Sequence, residues 1–152
     1  MFYIDTSVIV AYYYPEPLSE KAEAFLMTHT RSAISTLTEV EMFSALSRKI
    51  REGELSRKDA GRIIAKFLSH VDGHYYTHLF FESHHYRLAK DWIGLFHTNL
   101  RTLDALHLAI AHAEGLTFVT ADQGLAESAK VFGMDVVVLK TETLPNACLS
   151  PR

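Results

Sequence analysis

The chain has 152 residues, 48% of them apolar and 22% charged. That suits one compact domain burying roughly 70% of its unfolded surface, and it excludes a disordered chain. The formal charge of -3 argues against a uniformly basic nucleic-acid binder, and a single cysteine, Cys148, excludes an internal disulfide or a thiolate metal cage. In chain order, Phe2-Tyr3-Ile4 is a short apolar run, the pattern of a buried parallel strand. The start has no basic segment and meets Asp5 at once, so no secretory signal is expected. Asp5-Thr6-Ser7 opens an apolar stretch to Tyr14, and Pro15 and Pro17 punctuate the chain. A helix is expected from about Leu18 to His29, with Ala22, Phe25 and Leu26 inward, followed by a short strand at Ser32-Ala33-Ile34.

The next helix starts near Thr36 or Thr38 and runs to about Glu52, with Gly53 ending it. Ser56 and Asp59 outline a capping box for another helix. In that helix Ala60, Ile63, Ile64, Phe67, Leu68 and Val71 share one face, and Lys58, Arg62 and Lys66 lie along the other. Asp72-Gly73 signals a turn, His74 to Leu79 a strand, and Glu82 to Phe96 a helix with Ala89, Trp92, Ile93 and Phe96 inward. Thr102 is placed to cap a helix from Leu103 to about Ala113, which is apolar nearly all round and therefore central. That stretch is broken by Asp104, His107 and His112 and is too short to span a bilayer, so the chain reads as soluble. Gly115 closes it; Leu116 to Val119 is a strand, Asp122 to Val131 a helix, and Asp135 to Leu139 a last strand. Residues 1–139 form one domain, and the polar tail 140–152, with two prolines, is unassigned.

Short apolar strands alternating with helices predict an α/β fold, a mostly parallel central sheet flanked by helices in three layers. In such sheets ligands bind beyond the carboxyl ends of the strands. Asp5 ends the first strand, and Asp122 follows Phe118-Val119-Thr120. Asp104 stands in the first turn of the central helix and Glu41 near the start of the helix after the second strand. Each acid alone has a structural explanation: Asp122 as a helix cap, Asp104 as a complement to the helix dipole, Glu41 in a capping box with Thr38, and Asp5 in a turn with Thr6 and Ser7. Together they form a cluster of like charges that only a cation makes favourable. Hard oxygen donors suit Mg2+ or Mn2+, which activate water and orient a phosphate. The residues by themselves reach as far as a metal-dependent phosphoryl-transfer site.

The opening Phe2-Tyr3-Ile4-Asp5-Thr6-Ser7-Val8-Ile9-Val10 resembles the start of PIN-domain proteins, especially VapC-type toxins of toxin–antitoxin pairs. Ser35-Thr36-Leu37-Thr38-Glu39-Val40-Glu41 with Ser44-Ala45-Leu46 is similar to the second motif of that family. Leu100-Arg101-Thr102-Leu103-Asp104-Ala105-Leu106-His107-Leu108-Ala109 is similar to the third, and Phe118-Val119-Thr120-Ala121-Asp122 with Leu125 and Ala129 to the fourth. The motifs occur in order and span residues 2 to 139. The resemblance implies a PIN-like fold and a metal-dependent endoribonuclease, with Asp5, Glu41, Asp104 and Asp122 as the catalytic acids. Asp5, Asp104 and Asp122 would be the metal positions, and Thr6, Ser7 and Thr120 polar supports. Glu39 and Glu41 point about 200° apart on a helix, so one of them faces the site; the spacing before Ser44-Ala45-Leu46 selects Glu41. The resemblance also implies Mg2+ (or Mn2+), RNA as substrate, a homodimer, a cognate antitoxin and a cytoplasmic, membrane-free setting.

Seven of the 15 basic residues lie between Arg48 and Lys66, a local net charge of about +4. Lys58, Arg62 and Lys66 are therefore candidates for RNA contact, or a solvated face, and Arg101 is a candidate phosphate contact. Tyr12-Tyr13-Tyr14 fits base stacking or, better, packing at a helix end or a dimer interface. The nine histidines show no established zinc spacing, and no phosphate-cradling glycine loop occurs. A phosphatase of the haloacid-dehalogenase kind expects a second aspartate two residues after the first, where this chain has Ser7. The remaining rival is a catalytically inactive PIN-like RNA-binding or scaffold module.

Overall fold

The computed structural model of the chain describes residues 1–142; Cys148 and the rest of the tail lie outside the described residues. Five strands alternate with seven helices: β1 (Phe2–Ile4), α1 (Thr6–Tyr13), α2 (Ser19–Thr28), β2 (Ser32–Ser35), α3 (Thr36–Arg51), α4 (Arg57–Asp72), β3 (Thr77–Leu79), α5 (Ser83–Gly94), α6 (Thr102–Ala113), β4 (Thr117–Thr120), α7 (Gln123–Val131) and β5 (Val136–Val138). The sheet order is β3-β2-β1-β4-β5, and every pairing is parallel. The chain thus builds outward from β1 in one direction and then returns to build outward in the other. The gap between β1 and β4 is the switch point of the topology, where the connections leave the sheet on opposite sides.

Side-chain alternation along the strands divides the core. Ile4, Ile34 and Val119 join Ile9, Met42, Leu46 and Phe67 from the helices α1, α3 and α4. Tyr3 and Phe118 face the other way, onto Ala89 and Trp92 of α5, Leu108 of α6 and Leu125 of α7. The result is three layers, with the sheet between them.

Several local readings differ from the sequence expectation. The apolar stretch after Asp5 is the helix α1, with six of its eight residues buried; a helix buried on nearly all sides shows no amphipathic period. Phe96, expected inward, is 88% exposed, because α5 stops at Gly94 and Phe96 turns out of it at φ 55. The α6 helix begins at Thr102 itself, with Arg101 at the cap position. β3 keeps only Thr77–Leu79 of the expected strand, since His74 takes a left-handed φ of 57 and turns the chain. Gly53 and Gly115 close α3 and α6 with φ of 76 and 64, conformations that cost glycine little.

Candidate active site

Asp5 continues the β1 ladder by one bond, its N–H donating to Val119 O at 2.9 Å, and its carbonyl then receives Val8 N as α1 begins. The backbone therefore caps α1, and the carboxylate makes no cap bond. Ser7 Oγ and Thr120 Oγ1 both donate to Asp5 Oδ2, at 2.7 and 2.8 Å. The Ser7 hydroxyl accepts from Ala121 N at 3.1 Å, and Thr120 Oγ1 accepts from Asp122 N at 3.0 Å. Two hydroxyls thus lock the ends of β1 and β4 together and hold a buried carboxylate, 6% exposed, in one orientation.

Glu41 and Glu39 part as helical geometry requires. Glu39 turns to the edge strand, where His78 Nε2 meets its Oε1 at 2.6 Å. Glu41 turns to the switch point and accepts from Thr6 Oγ1 at 3.1 Å and contacts His107 Nε2. Neither glutamate caps α3, because the Ser35 N–H goes to Thr38 Oγ1 at 3.2 Å. Asp122 does cap α7, through Leu125 N on Oδ1 at 3.0 Å, and reaches the same cavity. Asp104, in the first turn of α6, is half-buried beside it.

An open cavity of about 580 Å3 is lined by Asp5, Glu41, Asp104 and Asp122, with Thr6 and Ser7. A second, of about 590 Å3, shares Asp104, Asp122 and Leu125 with it and carries Arg101, His97 and Asn99 on its wall. The two form one groove with the acids at its middle. Its cationic wall is Arg48, Lys49 and Arg51, from the last turns of α3. Lys58, Arg62 and Lys66 lie off the groove; Arg62 pairs with Asp59 at 3.6 Å, and Lys66 stands over the Tyr12 ring. Periodicity told which cations share a face of α4, while the groove uses the preceding helix.

Residues missed from the sequence also stand here. Glu16 and Ser44 line the groove. His107 is 1% exposed and joins Glu41 to Tyr3, whose hydroxyl meets His107 Nδ1 at 2.6 Å. Its spacing of three from Asp104 on one helix was the available signal.

None of Asp5, Asp104 and Asp122 forms an ion pair among the described residues. Burial pushes the Asp104 carboxyl above its ordinary value; Asp5 and Asp122 push it further, against the opposing pull of His107. Such all-oxygen, electron-rich surroundings fit a hard divalent cation. Among the described residues no three donors close into a ready-made cage. Magnesium tolerates this, since it keeps several waters and takes one or two carboxylates.

This electrostatic arrangement sets a pH prediction. A carboxyl whose folded pKa is raised stabilises the fold fully below its unfolded value near 3.8 and loses that contribution as pH rises through the folded value. In chelator, Asp104→Asn is therefore expected to raise Tm at pH 7, with the gain over wild type shrinking on acidification. Saturating Mg2+ or Mn2+, at about one hundred times Kd, should raise wild-type Tm by on the order of 5–10 °C and the variant far less. Calorimetry across pH, with and without the ion, checks both.

The PIN-domain family model matches residues 2–131. The chain is 36% identical over 138 residues to Ribonuclease VapC46 of Mycobacterium tuberculosis, covering 89% of this chain and 95% of that protein. Its fold is similar to that of M. tuberculosis VapC20, described as a sarcin-ricin loop cleaving toxin (TM-score 0.68, 16% identity, 84% and 95% of the two chains). It is also similar to M. tuberculosis VapBC-5, described as a member of the VapBC family of toxin–antitoxin systems (TM-score 0.58, 18% identity, 91% and 97%).

Proposed function

The chain belongs to the PIN-domain family, and from that premise we propose that it is a divalent-metal-dependent endoribonuclease, the toxin of a toxin–antitoxin pair. The observation that carries this reading is the meeting of Asp5, Glu41, Asp104 and Asp122 on one groove at the switch point of the sheet. The identity to a ribonuclease across nearly the whole chain supports RNA as the substrate.

Asp5 and Asp104 would hold the cation, with Asp122 contributing while its other role is to cap α7. The chemistry supplied there by a bound Mg2+, or Mn2+ in its place, would be activation of a water and neutralisation of charge on the scissile phosphate. Ser7 and Thr120 both donate to Asp5, keeping its Oδ2 fixed. Glu41, held by Thr6 and His107, orients water on the groove floor. Arg48 and Arg51 on one arm of the groove and Arg101 on the other bind the phosphates that flank the cut. A groove open on both sides of the acids suits cleavage within a strand. No helix among the described residues is long and apolar enough to cross a membrane; membership of the PIN-domain family supports action in the cytoplasm. A cognate antitoxin covers the groove, and a homodimer is the working form.

The test is cleavage of a mixed RNA panel by purified protein freed of bound inhibitor, with Mg2+ or Mn2+, with chelator, and with Asp5→Asn alongside. Metal-dependent cutting that needs Asp5 is expected. Folded protein that cuts nothing under any metal would make this an RNA-binding module instead.

The cationic wall makes a separate prediction. Arg48→Gln with Arg51→Gln should weaken RNA binding and lower the salt slope of log K by about 1.4, two phosphate contacts on a single strand. Neutralising Lys58, Arg62 and Lys66 together should change the slope by less than half that. Binding to chelated protein across a salt series decides; the reverse order would move the RNA path onto α4.

A further inference from the structure

Behind the acids runs a buried chain of polar side chains that the catalytic scheme touches only at its last link, His107 on Glu41. It starts at Ser35, at the end of β2, whose Oγ lies 2.7 Å from the Tyr3 hydroxyl. Tyr3 OH lies 2.6 Å from His107 Nδ1, and His107 Nε2 contacts Glu41 Oε1. Tyr3 and Ser35 are fully buried and His107 very nearly so. Five elements, β1, β2, α1, α3 and α6, meet on this chain. Hydrophobic side chains would fill the same space at lower risk, since a buried polar group left unpaired costs about 1–3 kcal/mol.

The donors and acceptors along it have only one consistent direction for a neutral imidazole. An ionised Glu41 can only accept, so His107 Nε2 carries the proton. Nδ1 is then bare and must receive the Tyr3 O–H. The phenol oxygen in turn accepts from Ser35. The order is Ser35 to Tyr3 to His107 to Glu41, with the Thr6 hydroxyl donating to the same Glu41 oxygen.

Resting on the ribonuclease reading, we propose that Tyr3 and His107 are positioning residues: the Tyr3 hydroxyl anchors the His107 ring at Nδ1, and His107 Nε2–H fixes the Glu41 carboxylate toward the groove. Without the Tyr3 hydroxyl, Nδ1 loses its donor and the ring is no longer held from behind, so the Nε2–H that aims the carboxylate is loosened. The Tyr3 ring itself remains packed against Phe118, with centroids 5.8 Å apart, so Tyr3→Phe disturbs the hydrogen bond and little else.

Two measurements test this. Imidazole 15N–1H NMR on the metal-free protein is expected to show His107 protonated at Nε2 in both proteins, with the Nδ1 15N signal moved downfield in Tyr3→Phe as it loses its hydrogen bond. Protonation at Nδ1 in wild type overturns the proposal, whether or not RNA is cut. In kinetics, Tyr3→Phe should lower kcat about 10- to 100-fold with KM within about twofold, a loss typical of an outer hydrogen-bond partner. In a Glu41→Gln background the same change should cost less than about twofold, because the charge that His107 aims is already gone. His107→Gln, which keeps a donor near Nε2, should retain more activity than His107→Leu. An equal loss in both backgrounds, or full kcat in Tyr3→Phe, overturns the positioning role while Asp5-dependent cleavage leaves the ribonuclease reading standing.

Discussion

Asp5→Asn is expected to abolish RNA cleavage, lowering kcat by about 10^3 or more, and to leave Tm unchanged or higher. The two effects have one cause. Asp5 is buried beside Asp104 and Asp122, and without a cation that proximity is repulsive. Asparagine keeps an oxygen to accept from Ser7 and Thr120, so the locked ends of β1 and β4 survive. What disappears is the charge, and with it both the repulsion and the hold on a divalent ion. A loss of 10^3 is about 4 kcal/mol of barrier, reasonable for a group that acts on the ion stabilising the phosphate. Single-turnover cleavage at saturating Mn2+, with Tm measured in chelator, checks both halves. Residual activity near wild type would remove Asp5 from the chemistry.

Glu41→Gln should cost kcat about 10^2-fold, whereas Glu39→Gln should leave it within about twofold. Glutamine at 41 still accepts from Thr6 and His107, so the fold is kept and the missing charge is what is measured. Glu39 meets His78 at the edge strand, a partly exposed pair worth about 1 kcal/mol at most. Its substitution is thus a small matter of stability. Steady-state kinetics on both proteins decides, and the opposite ranking would place the wrong glutamate on the groove floor.

The architecture was legible because strands buried on both faces read as plain apolar runs, and each ended in recognisable turn or cap chemistry. The carboxylates stood out for a similar reason: an apolar strand running into Asp5 is costly unless the charge has a use. Asp122 shows how two readings of one residue can both hold, since it caps α7 and lines the groove. What stayed hidden were relations across the fold. Tyr3 reads as one more strand residue until α6 brings His107 beneath it. The α4 cations share a face, yet nothing in their period says that this face lies away from the groove. The three tyrosines also diverge: Tyr13 bonds His70 and Tyr76, while Tyr14 lies under Lys49. Phe96 needed knowledge of a left-handed turn that its side chain does not advertise.

The strand order carries a consequence for how the protein is born. β1 is the first strand made, yet one of its two neighbours, β4, does not start until Thr117. The bond from Thr120 to Asp5 closes a separation of 115 residues. A growing chain that ends before Thr117 carries Asp5, Glu41 and Asp104 but neither Thr120 nor Asp122, and the centre of its sheet lacks one edge. At 5–20 residues per second, that interval lasts on the order of ten seconds, and pairings so remote in sequence are slow to close afterwards. The groove with all four acids therefore assembles only after β4 and the first turn of α7 have been made.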